Sequence, residues 1–345
     1  MGKGEARQSL PQRWKDTIRS WSEKDWHNYA THRLHALLKK HQVCSTREME
    51  ARLSDFCTNL NPRVDPHHLT TARRILNLQL VSNKYVPLYT LPNTPLSSVS
   101  SIIARKELLY NAFLNHFTKD SFCGDVAEKI VFASMTQALN LSIEPHTLGN
   151  VSKIGNLTTN TPLDTYAFVI TTDNKGQRKV VTLGIEVKNI REWIYPQSVE
   201  IWKALKACID LDCIPIIVSR AFHFTAFTFF RDIGALGYKT KHQYFSSELW
   251  GHSLYTPLKS ELYFRDMVLW REDKPDPMVS RFFSDLLPQY ISRTTLTFER
   301  NKQLIEQYAQ GPLHDENTDI SDRSSLMSQF REDFKHLHNI DKTQW

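Results

Sequence analysis

No run in this chain approaches the 18 or so apolar residues that a bilayer-spanning helix needs, and the opening stretch MGKGEARQSLPQRWKD has no apolar segment of the kind a secretory signal carries. The pattern leaves no membrane partner to expect and points to a cytoplasmic protein. There is no CxxC pair. The five cysteines, Cys44, Cys57, Cys123, Cys208 and Cys213, are odd in number and widely spaced, which removes both a disulfide framework and a zinc ribbon and leaves reduced, mostly buried thiols. The histidine pairs His32/His35 and His67/His68 have no third ligand spaced to complete a tetrahedral metal site, so surface or groove-facing rings are expected. No internal repeat occurs. The charge excess is small, with 43 Lys and Arg against 37 Asp and Glu; a net +6 favours a polyanionic partner but identifies none.

What is present is the composition of an ordinary folded protein, with 41% hydrophobic, 23% charged and 11% aromatic residues. A length of 345 residues suggests two domains and an appendage. Residues 1–40 read as a helical arm, with Trp14, Trp21 and Trp26 and with Leu34, Leu37 and Leu38 at helical spacing. TREMEARLSDFC is a helix capped by Ser45 or Thr46, with Glu48 placed to reciprocate. Asp65 and Pro66 open a second helix, whose stripe of Leu69, Ala72, Arg73, Leu76 and Leu80 runs to about Ser82. KYVPLYTLP is β-rich, and the Pro- and Ser-rich stretch 92–101 marks a domain boundary.

Beyond it the spacing predicts helices over 102–117 and 121–140, then strands 165–171 and 180–188 joined by a turn at Asp173, Asn174, Lys175 and Gly176. A helix near 197–211 leads to IPIIVS (214–219), apolar enough for a strand buried on both faces. A helix over 224–234 follows, with Phe222, Phe224, Phe227, Phe229 and Phe230 read as core, and a weaker strand over 237–245. Further on lie a strand near 262–270, a helix opened by Asp276 and Pro277, one over 297–309, and a polar linker from Gly311 to a final helix. The expected division is 1–95, 102–247 and 248–345, the last a mostly helical appendage.

A carboxylate, any residue and then lysine occurs four times, beginning at Asp173, Glu186, Glu272 and Asp333. Only Glu186 and Lys188 end a strand that reads as buried. Residues two apart on a strand share a face, so these two project together while Val187 turns to the other side. Asp164 opens the preceding strand, and a hairpin-like connection brings it beside Glu186. Two carboxylates and the Val187 carbonyl suit a hard, oxygen-seeking ion such as Mg²⁺, with Lys188 over the attacking water or the phosphate.

At these residues the chain resembles the PD-(D/E)xK, or restriction-endonuclease-like, nuclease superfamily, over roughly 105–245. Pro162, Leu163 and Asp164 match the first half-motif one residue out of register with the adjacent Pro-Asp pair, and Glu186, Val187 and Lys188 match the second. GDVAEKIVFASM, with Gly124 and Glu128, is similar to the opening helix of archaeal junction resolvases and related nucleases. The resemblance implies an α/β core with a mixed central sheet flanked by helices and Mg²⁺ as cofactor. It assigns catalysis to Asp164, Glu186, Lys188 and Glu128, and the metal to Asp164, Glu186, Val187 and Glu128. Some branches add a glutamine on the helix after the lysine, for which Gln197 is the candidate.

Residues 45–91 resemble a winged helix-turn-helix module. That resemblance implies contact with DNA by His67, His68, Thr70, Thr71 and Arg74 on the second helix and by Lys84 on the wing. The expectation is a Mg²⁺-dependent endonuclease of duplex DNA, in a restriction or phage-defence setting and as a homodimer if both strands are cut symmetrically. The rivals are a DNA-binding regulator or assembly subunit with an inert nuclease fold, and a nuclease for RNA or branched DNA. An inert fold has no need to keep Asp164, Glu186 and Lys188 together.

Overall fold

The computed structural model describes residues 18–55, 62–138, 143–172 and 177–339. Trp14, Cys57 and the expected turn at Asp173–Gly176 lie outside the described residues. Two compact units form, one from residues 1–119 with 249–267, the other from 120–248 with 268–345.

The first unit begins with α1 (Glu23–His41), started by a reciprocal cap in which Ser22 and Asp25 bond each other's backbone. It is no free arm: Ala30, Leu34 and Leu38 are buried with Met49, Leu53, Val64, Leu69 and Ala72 in a core of their own. After β1 (Cys44–Ser45), α2 (Thr46–Leu53) has the predicted cap from Ser45 and Glu48. The next helix, α3 (Pro66–Ile75), starts at Asp65 as predicted. It stops at Ile75 and not near Ser82, because Asn77 takes φ +46 and turns the chain into β2 (Gln79–Ser82). With β3 (Leu88–Thr90) these strands make a sheet in the order β1-β3-β2.

The stretch predicted as a domain boundary holds the start of α4 (Leu96–Ala112), which continues as a π-helical turn over Phe113–Phe117. Its Lys106 reaches the buried Glu48 at 2.5 Å, and Tyr110 and Phe113 are packed by Phe264 at ring separations of 6.2 and 5.0 Å. Those contacts give α4 to the first unit and move the division from 95–102 to residue 119.

The second unit opens with α5 (Gly124–Gln137), followed by β4 (Ile143–Ile154), β5 (Leu157–Thr172) and β6 (Arg178–Lys188) in antiparallel succession. Strand β4 was not foreseen, and β5 begins seven residues before Asp164. A crossover through α6 (Val199–Asp210) leads to β7 (Ile214–Ser219), parallel to β6, and α7 (Phe224–Ile233) leads to β8 (Leu236–Lys239), parallel to β7. The result is a mixed sheet in the order β4-β5-β6-β7-β8, in an α/β unit with helices. All six residues of β7 are buried, as its composition predicts. Phe222, Phe229 and Phe230 are core, whereas Phe224 and Phe227 are exposed.

Beyond β9 (Gln243–Ser246) come α8 (Tyr255–Glu261) of the first unit and β10 (Met267–Trp270), which pairs with β9. Asp276 caps α9 (Pro277–Arg281), and α10 (Leu287–Ala309) and α11 (Ile320–His338) complete the chain. The last two are no appendage. Phe298, Ile305, Tyr308, Met327 and Phe330 belong to the same core as the sheet, and Phe330 meets the buried Trp202 at 5.5 Å. Each such apolar side chain contributes roughly 1.5–3 kcal/mol when fully buried. The polar stretch after Gly311 is tied in through buried Leu313, and Glu316 is paired with Lys203. No helix among the described residues is long and apolar enough to cross a membrane.

Candidate active site

Thr165 of β5 stands opposite Ile185 of β6, and one further step of that antiparallel register sets Asp164 opposite Glu186. By the pleat, Gly184, Glu186 and Lys188 share the face covered by α6. Gly184 shows how closely that helix lies: a Cβ there would meet Cys208 Sγ and Cys213 Sγ at 2.6 Å and Leu163 Cδ1 at 2.8 Å. The strand that carries Glu186 is therefore clamped two residues before it.

Asp164 Oδ2 accepts a hydrogen bond from the backbone N–H of Val187 at 2.6 Å. Glu186 Oε1 is ion-paired with Lys188 Nζ. The other oxygen, Oε2, is buried and has no hydrogen-bond partner among the described residues. An anionic oxygen in that position is costly unless a proton or a cation stands against it.

The electrostatics follow from that burial. Desolvation pushes the Glu186 carboxyl up to about 7, with the charge of Asp164 adding to the effect, Lys188 opposing it and Glu128 adding further. Desolvation likewise raises Asp164, against the pull of Lys188 and of the Val187 N–H. Burial disfavours the Lys188 ammonium, but Glu186 and Asp164 outweigh it and hold the lysine above its ordinary value. Glu128, half-buried on α5, is thus near enough to act on Glu186. Asp164 and Glu186 flank one ammonium and Glu128 adds its charge at Glu186, which makes a site short of positive charge.

Two further groups escaped sequence reasoning. Asn189, next after Lys188, donates to the carbonyls of Cys123 at 2.8 Å and Tyr244 at 2.6 Å and accepts from the Tyr244 N–H at 3.0 Å. It ties the end of β6 to the residue before α5, the helix of Glu128. Glu200, in the first turn of α6, is close enough for its charge to act on Lys188. A polar residue just past the strand and an acidic one at a helix start are too common for spacing to single out. Gln197 sits in the turn before α6 and not on the helix.

In the first unit Thr70, Arg74 and Lys84 are exposed, Thr71 is half-buried, and Lys84 lies over the Tyr85 ring at 5.3 Å. His67 is exposed, as expected, whereas His68 is largely covered. Both rings approach Glu23 Oε1, each at 3.7 Å, and His68 is stacked on Trp26 with centroids 5.6 Å apart. Partners supplied by α1 were invisible to a search for local spacing.

Compared with known proteins, the chain matches no family model, no curated protein and no solved structure.

Proposed function

We propose that this chain is a Mg²⁺-dependent endonuclease of duplex DNA, built on a restriction-endonuclease-like core with Asp164, Glu186 and Lys188 at its centre. The observation that carries the reading is the buried Glu186 oxygen that lacks a partner while Asp164 and Lys188 converge on the same strand end. The donor set is all oxygen, which fits a hard divalent ion that keeps several waters. Asp164 and Glu186 would hold that ion, with Glu128 and the Val187 carbonyl as further donors.

The metal would supply an acidified water and offset charge on the phosphate. Lys188 keeps its proton at neutral pH, which suits it to stand against the oxygen charge that develops on phosphorus. Glu128 helps to hold Glu186 ready for a cation by raising the cost of its bare charge. The element order of helix, three antiparallel strands, helix, parallel strand, helix, parallel strand agrees with what the resemblance implies. In the first unit the order α1-β1-α2-α3-β2-β3 with the sheet β1-β3-β2 supports a winged helix-turn-helix, leaving Thr70, Thr71, Arg74 and Lys84 for the duplex. A cytoplasmic restriction or phage-defence role, with symmetric cutting by a homodimer, is the setting this reading favours.

The test is incubation of the purified chain with supercoiled, linear and branched DNA, and with RNA, in Mg²⁺ and in EDTA. Nicking or linearisation that needs Mg²⁺ and fails with Asp164→Ala is the expected result. Binding without cleavage under every condition favours a regulator with an inert fold, and cleavage of RNA alone moves the substrate class.

A further inference from the structure

The first unit brings together four side chains that sequence spacing kept apart. Glu23 and His27 lie one turn apart at the start of α1, and His67 and His68 occupy the first turn of α3. One ligand atom from each of the four lies within 4.8 Å of every other. Glu23 Oε1 is 3.3 Å from His27 Nε2, 3.7 Å from His67 Nε2 and 3.7 Å from His68 Nδ1. Around a zinc ion with bonds of about 2.0–2.1 Å, tetrahedral ligand atoms stand about 3.3 Å apart. The four atoms need to close by only a few tenths of an ångström up to about 1.5 Å, within the reach of small side-chain rotations.

Hydrogen bonding does not explain the arrangement. His27 Nε2 and His68 Nδ1 are buried, and neither makes a hydrogen bond among the described residues. Buried ring nitrogens in native proteins ordinarily have partners, so two unbonded ones aimed at a shared carboxylate call for an ion. Glu23 and Asp25 in the first turn of α1, and Asp65 as the cap of α3, offset the positive ends of both helices that a cation there would meet.

We propose that Glu23, His27, His67 and His68 bind one Zn²⁺ ion that pins the start of α1 to the start of α3. Three imidazoles and one carboxylate suit a borderline-soft ion such as Zn²⁺ and not Mg²⁺. All four positions are filled by protein, which makes the site structural, like a closed zinc centre, and leaves no open position for chemistry. The stacking of Trp26 on His68 fixes the ring plane as an outer layer around the metal. His67 and His68 are thereby withdrawn from base contact, and the outward face of α3 is left to Thr70, Thr71 and Arg74. The inference is independent of the nuclease reading, since it concerns only the first unit.

The experiment uses the full chain without a histidine tag, stripped with chelator and titrated with Zn²⁺ against a chromophoric competitor, with Co²⁺ as the optical probe. One equivalent is expected to bind with a dissociation constant below about 1 µM. The Co²⁺ form should show intense tetrahedral d–d bands without a thiolate charge-transfer band, and Trp26 emission should change on binding. His27→Ala and His68→Ala should each weaken binding by more than about 100-fold, while His32→Ala and Asp164→Ala leave it unchanged. Absence of a one-equivalent site, a thiolate band in the wild-type Co²⁺ form, or full affinity in folded His27→Ala overturns the proposal. The wild-type spectrum decides the matter even where a variant does not fold.

Discussion

The carboxylate of Asp164 takes the backbone N–H of Val187 at 2.6 Å, so the residue between Glu186 and Lys188 is tethered to the neighbouring strand by a side chain. Asp164 thus has a structural bond as well as a charge, and two substitutions separate them. Asp164→Asn keeps an acceptor for Val187 and loses the charge; it should fold with near wild-type stability and cut at least about 100-fold more slowly. Asp164→Ala also leaves the N–H without this partner and should lose about 1–3 kcal/mol of stability besides. Urea unfolding beside single-turnover cleavage makes the comparison. An asparagine variant that cuts normally removes Asp164 from metal binding.

On the proposed reading Lys188 bears on a different step. It is not expected to be a principal ligand, so Lys188→Ala should still bind Mg²⁺ and DNA while single-turnover cleavage falls by about 10²–10³-fold, the effect of losing one transition-state donor. The same change deprives the buried Glu186 of its only ion-pair partner among the described residues and should push that carboxyl further up. The pH at which cleavage begins to rise should shift upward in whatever activity remains. Wild-type turnover in a folded Lys188→Ala protein is incompatible with the assignment.

Stability should report the same carboxyl. Glu186 rises from an ordinary 4.5 to about 7 on folding, so the native state holds its proton more tightly than the unfolded chain does. The stabilisation from this group is full below about 4.5 and is lost as pH rises through about 7. On the proposed reading a divalent ion would take the place of the proton. Mg²⁺ should therefore raise the melting temperature at pH 8 and do little at pH 5, and Glu186→Gln should remove that difference. An equal Mg²⁺ effect at both pH values places the ion elsewhere.

The extent to which this was legible varies with the range of the interactions. Caps at Ser45 and Asp65, the buried strand β7 and the projection of Glu186 and Lys188 to one side of β6 depend on neighbours within a few residues, and each was read correctly. Strand β4 was missed: its Gly149 and Asn150 take positive φ, and its register with β5 shifts three times, so no clean alternation survives. The boundary was misplaced because α4 is held by Glu48 and Phe264, one far upstream and one far downstream. The His67/His68 environment failed for the same reason, since its partners lie about 40 residues away on α1.

For duplex binding, Arg74 and Lys84 give distinct expectations. Both are exposed on the first unit, Arg74 on α3 and Lys84 between β2 and β3. Lys84→Ala should weaken binding about equally for all sequences and reduce the salt slope by about 1, whereas Arg74→Ala should relax sequence preference if it meets a base. Point variants are the proper tool, because a deletion ending at residue 95 severs α4 from the unit it completes. Unchanged affinity and slope in the double variant would move DNA binding off this face.

Asn189 is the residue that joins site and scaffold. Its amide donates to Cys123 O and Tyr244 O and its oxygen accepts from Tyr244 N–H, all in a buried setting. Removing it leaves three backbone groups without these bonds, and a buried group left unsatisfied costs about 1–3 kcal/mol, so Asn189→Ala should destabilise by roughly 2–5 kcal/mol after partial relaxation. Asn189→Asp should be no rescue: a carboxylate still accepts from Tyr244 N–H but turns its second oxygen against two carbonyls. The consequence for function is positional. With only the backbone carbonyl of residue 189 still held, by Cys123 Sγ at 3.4 Å and Gln243 Nε2 at 3.2 Å, the end of β6 is fixed less firmly relative to the start of α5, so the common frame of Glu128 and Lys188 loosens. Single-turnover cleavage measured well below the melting temperature should fall at least about tenfold, with Mg²⁺ affinity reduced less than in Asp164→Ala. A variant that is destabilised yet cuts at the wild-type rate would show that Asn189 serves the fold alone.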